Sequence, residues 1–389
     1  MRKAGDFIHH VCTGYSYAKD AREAAAEFHA AVKQQEMSLV LFFCSSEYDL
    51  DLLAKEIKRL FAGVPVMGCT TAGEVGPAGY GNHSLSGASF VSGSFTAAIG
   101  LLDKLALFDA DAGHTLAQQL LQRLEGSVAT LDMKRCFAFM LIDGMSVREE
   151  KVAHVLQGEL GRIPLIGGSA GDDMQYSRAY VYYDGKFHPD SAVIALVHTR
   201  LPFEVFRSQH FVPSEHRLVV TRADPDRRIV YEINGLPAAA EYARLIGVAE
   251  EALNSSHFAV APVVVRIGGM DFVRSIQQAN PDGSLTFYCA IEEGLVLRLA
   301  RGGDLIADLE HTFAEIWEKI GEPELVLGCD CVLRRKEIVD DGFEERVGDI
   351  LKQNRVVGFN SYGEQFRGLH VNQTLTGIAI GSVPENSGD

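Results

Sequence analysis

Three stretches of the chain combine glycines, hydroxyls and an acid at nearly constant spacing: Gly68-Cys-Thr-Thr-Ala-Gly-Glu74, Gly167-Gly-Ser-Ala-Gly-Asp172 and Gly358-Phe-Asn-Ser-Tyr-Gly-Glu364. Glycines let a backbone approach a ligand closely and permit positive φ. An acid placed just after them can hold an amine or hydroxyl, or accept from neighbouring backbone N–H groups. On this chemistry the candidate ligand contacts are Cys69, Thr70, Thr71, Glu74, Gly168, Ser169, Asp172 and Glu364, with Arg274 available to pair a carboxylate bidentately. The same turns would also serve as tight strand ends closed by their acids. Three matching copies favour convergence on a shared cleft. None of the three fits G-x-x-x-x-G-K-[ST] or G-x-G-x-x-G at a helix start, so nucleotide binding has little support.

Cysteine and histidine supply the other candidate chemistry. Cys69 lies inside the first turn, and Cys329 and Cys331 flank Asp330. A nucleophilic thiol needs a neighbouring base and an oxyanion site, and no familiar local signature supplies them; buried, unreactive cysteine is the alternative. His83, His188 and His370 each closely precede a β-rich stretch. His188 follows Tyr182, Tyr183 and Phe187 and precedes Pro189, an aromatic and apolar setting of the kind a b-type haem uses. Asp184 and Asp190 are near enough in sequence to hold its second ring nitrogen, and Tyr182 is an alternative iron ligand.

The elements that carry these turns follow from hydrophobic periodicity. Ala21, Ala24, Ala25, Phe28 and Val32 fall on one helical face. The apolar run Leu39–Cys44 suits a buried parallel strand, Glu47–Phe61 a helix, and Val64–Met67 a strand entering the first glycine turn. The order recurs through Cys136–Ile142, Arg148–Leu160 and Ile163–Ile166, and again through Glu324–Leu327, Gly342–Gln353 and Arg355–Val357. A weaker fourth copy is read at Pro262–Met270. The expectation is an α/β fold of two related halves, built from strand–helix–strand units with added antiparallel strands, and with the polar segment Thr221–Arg228 as linker.

Composition excludes several classes. The 389 residues carry a net charge of −16, which argues against a nucleic-acid groove or an anionic membrane surface. The apolar runs are too short to span a bilayer, and Met1–Asp20 has no apolar core of a secretory signal. Seven scattered cysteines fit a reducing cytoplasm better than a disulfide scaffold.

Together the glycine turns, Ser84-Leu-Ser-Gly-Ala, Tyr231-Glu-Ile-Asn-Gly-Leu-Pro-Ala238, Arg274-Ser275, Glu293-Gly294, Cys331-Val-Leu-Arg334 and Asn372-Gln-Thr-Leu-Thr-Gly377 resemble FIST proteins, sensory modules proposed to bind small ligands. The resemblance runs from about residue 30 to 381 and divides the chain into a lead-in at 1–29, a FIST N-like sensory domain at 30–222 and a FIST C-like signal-transduction domain at 223–389. Within the family the chain is most similar to its nitric-oxide-sensing, haem-binding members. That similarity implies a cytoplasmic, non-enzymatic sensor that binds haem b, detects nitric oxide and modulates a partner histidine kinase in cyclic-di-GMP and biofilm signalling. His188 is then the first choice of iron ligand, with His83 and His370 in reserve. Two other readings stay open: a haem-independent sensor of an amino acid or similar metabolite, and a cysteine-dependent enzyme. Association into a homo-oligomer also stays open.

Overall fold

Alternation of side chains explains how each unit is layered. In the strand Met37–Ser45, Leu39, Leu41 and Phe43 face one core while Val40, Phe42 and Cys44 face the helix Ala21–Val32. The helix Leu50–Leu60 then crosses to Val66–Thr71, which runs parallel to the first strand from Val40 opposite Val66 to Ser45 opposite Thr71. The computed structural model describes residues 10–382, so the first nine residues of the expected lead-in and the last seven of the expected second domain lie outside it.

Two further units repeat this order in the same register. Cys136–Asp143 pairs in parallel with Leu165–Ala170, and Pro323–Cys331 with Val356–Ser361. Thr70, Ser169 and Asn360 therefore occupy equivalent strand-end positions. Each unit closes with a strand antiparallel to its first one, Leu85–Val91, Ala192–Thr199 or Leu375–Gly381. A strand at the sheet edge pairs with that closing strand: Val11–Ser16, Phe95–Leu102 or Phe203–Ser208.

Between its glycine turn and its closing strand, each unit sends out a hairpin that joins another unit's sheet. The first unit's hairpin pairs with Val356–Ser361 of the third. The second unit's pairs with Val66–Thr71 of the first, and the third unit's with Leu165–Ala170 of the second. The exchange is cyclic, so three six-stranded mixed sheets form, each from two units. Their inner faces share one core that includes Phe43, Phe139, Phe359, Leu327 and Cys329.

The α/β class and the strand–helix–strand units are as the sequence indicates. The fourth copy is not. Val263–Ile267 and Met270–Arg274 form an antiparallel hairpin around Gly268-Gly269, both at positive φ, a two-residue turn that suits the twist of paired strands. This hairpin belongs to an antiparallel eight-stranded sheet inserted between Phe211 and Gly302. Thr221–Arg228 is no linker either: it carries the turn between Phe211–Asp224 and Ile229–Ile233 of that sheet. The architecture is thus three units in a ring with an insertion inside the third, rather than two units in each half.

Candidate functional site

The three glycine turns meet, as their repetition suggests, but they close on one another. Asn360 donates its N–H to Gly73 O at 2.7 Å and accepts from Ala72 N at 3.0 Å. Ser169 makes the same pair with Gly363 O and Tyr362 N, at 2.8 and 3.1 Å. Thr70 makes it with Tyr180 O and Gly171 N, both at 3.0 Å. The second turn differs because residues 172–179 bulge out before the chain returns. Asp172 holds that bulge, accepting from the N–H groups of Tyr176, Ser177 and Arg178 at 2.8, 2.6 and 2.9 Å and from the Tyr362 hydroxyl. Burial opposes its charge, but the Tyr362 hydroxyl and these N–H groups outweigh it and hold the carboxyl below its usual range.

The acids of the other two turns are locks. Glu74 is fully buried and takes the Thr71 hydroxyl, the Ser84 hydroxyl at 2.5 Å and Ser84 N at 3.2 Å. Glu364 repeats the pattern with Ser361 Oγ at 2.6 Å, Thr374 Oγ1 at 2.7 Å and Thr374 N at 3.3 Å. Burial pushes both carboxyls up to about 8. Each ties its turn to the start of its unit's closing strand. Cys69, Cys329 and Cys331 are buried and their thiols are pushed well up by desolvation. Gly168 is a packing position: a Cβ there would stand 2.7 Å from Phe359 Cζ and 3.0 Å from Cys329 Sγ.

A different group of polar residues is brought together where the inserted sheet docks on the ring. Arg228 reaches from the insertion to Glu149 and Glu150 at the start of the helix Glu149–Leu160, at 2.6 Å each, and to Tyr288 O at 2.6 Å. Glu150 also accepts from Ala290 N at 2.5 Å. Burial would raise its carboxyl, but the Arg228 guanidinium and that N–H hold it low. Arg274 donates from Nη1 to His370 O at 2.7 Å. The amide of Gln365 bridges Ser169 Oγ at 3.0 Å and His370 Nδ1 at 3.2 Å, and Asn372 Oδ1 accepts from Ser275 N at 3.3 Å. Two arginines against two glutamates leave the cluster with no net charge when His370 is neutral, and burial does lower the imidazole pKa. Four of its atoms have no partner despite burial: Arg274 Nε, Gln365 Oε1, His370 Nε2 and Asn372 Nδ2. Unmet buried donors and acceptors are costly, so such groups mark a place for a water or a ligand.

Of this cluster, sequence reasoning singles out Arg274, Ser169 and His370. It misses Glu149 and Glu150, which read as ordinary acids in a helix's first turn, and Arg228, which falls in the expected linker. Gln365 and Asn372 adjoin or lie within the quoted third-unit motifs, and no spacing rule marks them.

The family model of the FIST N domain matches residues 38–236 and that of the FIST C domain matches residues 238–367. The chain belongs to the FIST family. FIST domains are signalling-related sensor domains, and here both are present. The two matched segments divide inside the inserted sheet, where Leu236–Pro237 pairs with Ile229–Ile233. An uncharacterised protein of Methanocaldococcus jannaschii is 23% identical over 306 residues, which are 68% of this chain. The match spans 58% of that relative's length. Among solved structures, the cyanuric acid hydrolase from A. caulinodans aligns with a TM-score of 0.39 and 8% identity, covering 96% of this chain and 99% of that one.

In this FIST protein the three histidines do not occupy comparable places, contrary to the sequence reading. His83 sits in the loop before its closing strand at positive φ, equivalent to Asp190 and Gln373, and its Nδ1 meets Glu47 Oε2 at 2.5 Å. His188 stands opposite Val181 on an edge hairpin, with Nε2 3.2 Å from Tyr183 O. His370 stands opposite Gln365, fully enclosed. A haem needs an imidazole nitrogen facing an apolar space as large as a porphyrin. His370 Nε2 is free, but its ring edge lies so close to Gly363 that a Cβ there would be 2.2 Å from Cε1. The surface cavities of about 370, 570 and 790 Å³ carry no histidine. As arranged, these residues do not fit haem.

Proposed function

We propose that this FIST protein senses a small polar metabolite, neutral or zwitterionic, at the junction of the inserted sheet and the third unit's hairpin. The observation that carries the reading is the set of four unpartnered buried atoms, Arg274 Nε, Asn372 Nδ2, His370 Nε2 and Gln365 Oε1. The first two donate and suit a carboxylate or amide oxygen; Gln365 Oε1 accepts and suits an amine or hydroxyl. The charge balance of Arg228, Arg274, Glu149 and Glu150 disfavours a net-charged ligand. Because His370 is enclosed and Gly363 stands against its ring edge, binding there requires the third hairpin to shift on the inserted sheet, and a ligand shifts such an equilibrium only by its differential affinity for the two arrangements. Isothermal titration calorimetry of the full chain against single amino acids and their amides tests this. Saturable binding that is lost in Arg274→Ala supports the reading, and affinity kept within about twofold drops it.

The second reading is a haem b sensor of nitric oxide acting on a histidine kinase in the cytoplasm. It rests on family resemblance and on the free Nε2 of His370. It requires the third hairpin to open, because the ring is enclosed as it stands. No helix among the described residues is long and apolar enough to cross a membrane. The visible spectrum of protein purified with haem supplied separates the two readings: a Soret band that moves with nitric oxide favours this one.

A further inference from the structure

The cyclic exchange of hairpins leaves a groove beside each hairpin, where it passes over a neighbouring unit's helix; the grooves by Lys58 and Gln157 lie at the carboxyl end of that helix and are equivalent, while the one by Lys352 extends to Glu344 and Glu345 at the helix start. Lys58 and Gln157 are the helix residues that meet the turn glycines Gly185 and Gly368, and Lys352 meets Gly79 at the start of its hairpin's second strand. In the groove of about 370 Å³ by Lys58, the lysine pairs with Asp184 at 3.2 Å. In the groove of about 270 Å³ by Lys352, the lysine pairs with Asp349 at 3.1 Å and Arg335 with Glu344 at 2.5 Å. The groove by Gln157 is different. It is about 570 Å³ and is lined by Lys134, Arg162 and Arg367, none of which has an acidic partner among the described residues. Its one acid, Glu204, is already paired with Lys319 at 2.8 Å.

Three uncompensated cations around one groove stand out in a chain of net charge −16. Arg367 is the sharpest case. It is at φ +50° ahead of Gly368 at +80°, just as Asp184 is at +45° ahead of Gly185 at +83°. Such two-residue turns favour Asn or Asp at the first position, so the equivalent hairpin carries the favoured residue and this one carries a cation over the Phe366 ring with no acid opposite it.

The groove also has a backbone feature. Phe203, Glu204 and Val205 line it, and they belong to Phe203–Ser208, the terminal strand of its sheet. Among the described residues no strand pairs with the outer side of that strand, so its outward N–H and C=O groups have no ladder partner. Phe203 and the exposed Met133 supply apolar contact beside the cations.

We propose that this groove receives an extended acidic segment of a partner protein, added as a strand along Phe203–Val205 with its carboxylates meeting Lys134, Arg162 and Arg367. Main-chain pairing would supply affinity, and the three cations would supply charge selection and a fast, salt-sensitive encounter. This surface is separate from the buried cluster and does not depend on what that cluster binds.

The test uses the full chain and a fluorescein-labelled peptide of about ten residues, alternating acidic residues with valine, read by fluorescence anisotropy. A peptide with lysine in place of the acids is the comparison. The acidic peptide is expected to bind in a salt-sensitive manner and the basic one not to bind. Arg367→Asn places a turn-favoured residue at that φ, so the melting temperature should hold or rise while affinity falls about fivefold or more. Arg162→Glu should weaken binding further, and Lys58→Glu in the equivalent groove should leave it unchanged. Equal binding of both peptides, unchanged affinity in Arg367→Asn, or binding of inorganic tripolyphosphate without binding of the peptide would each overturn the proposal.

Discussion

Arg228 and Glu149 form a buried ion pair 2.6 Å long that joins the inserted sheet to the first turn of the second unit's helix. Both side chains are almost fully enclosed, and Glu150 completes the clamp from the next position. The pair therefore fixes how the insertion docks on the ring. It also fixes the walls of the cluster in which Arg274, His370, Gln365 and Asn372 carry unmet groups.

Removing one member of such a pair leaves the other charge buried. Arg228→Ala should lower stability by about 3–5 kcal/mol in urea or guanidinium unfolding. Combining it with Glu149→Gln should recover part of that loss, because no uncompensated carboxylate then remains at that position. A single-variant loss below about 1 kcal/mol would mean that the junction is not held by this pair.

Glu74 and Glu364 set a pH dependence. Their carboxyls titrate near 4.5 in an unfolded chain and near 8 in the native one. The native state thus binds more protons between those values. Its stability from these groups is complete below about pH 4.5, falls as pH rises towards 8 and levels off above that. Denaturation midpoints measured from pH 5 to 9 should show the decline, and the double variant Glu74→Gln, Glu364→Gln should flatten it.

Gly73 is at φ +129°, and a Cβ there would stand 2.9 Å from Asn360 Oδ1. Gly73→Ala should cost about 1–3 kcal/mol through strained backbone and displacement of Asn360. Gly93 has open space around it and no positive φ, so Gly93→Ala should be near neutral, and thermal melting of the two variants against wild type checks both.

The sequence made the local order visible and hid the long-range pairing. Leu39–Cys44, Cys136–Ile142 and Leu325–Leu327 are apolar enough to mark buried strands, and their helices show clear stripes. Nothing in Tyr182-Tyr183 or Gln365-Phe366 says that these strands will pair outside their own unit. Register is decided by which edges are open, and that is a property of the assembled ring. The histidines diverge for the same reason: spacing to the closing strand groups His83, His188 and His370, while hairpin register puts His370 opposite Gln365 and His188 opposite Val181. Arg274 was identifiable as a charged residue in an apolar strand. Its acidic neighbours were not, because Glu149 and Glu150 lie more than a hundred residues away and look like helix-start acids.

The central claim is that the junction cluster receives a small polar ligand, and calorimetric titration of the full chain with the amino-acid and amide panel tests it most directly. The account predicts saturable binding of at least one member by wild type, no measurable binding by Arg274→Ala and weakened binding by Asn372→Ala. Failure of the whole panel to bind wild type, or binding that is the same in both variants, would contradict it.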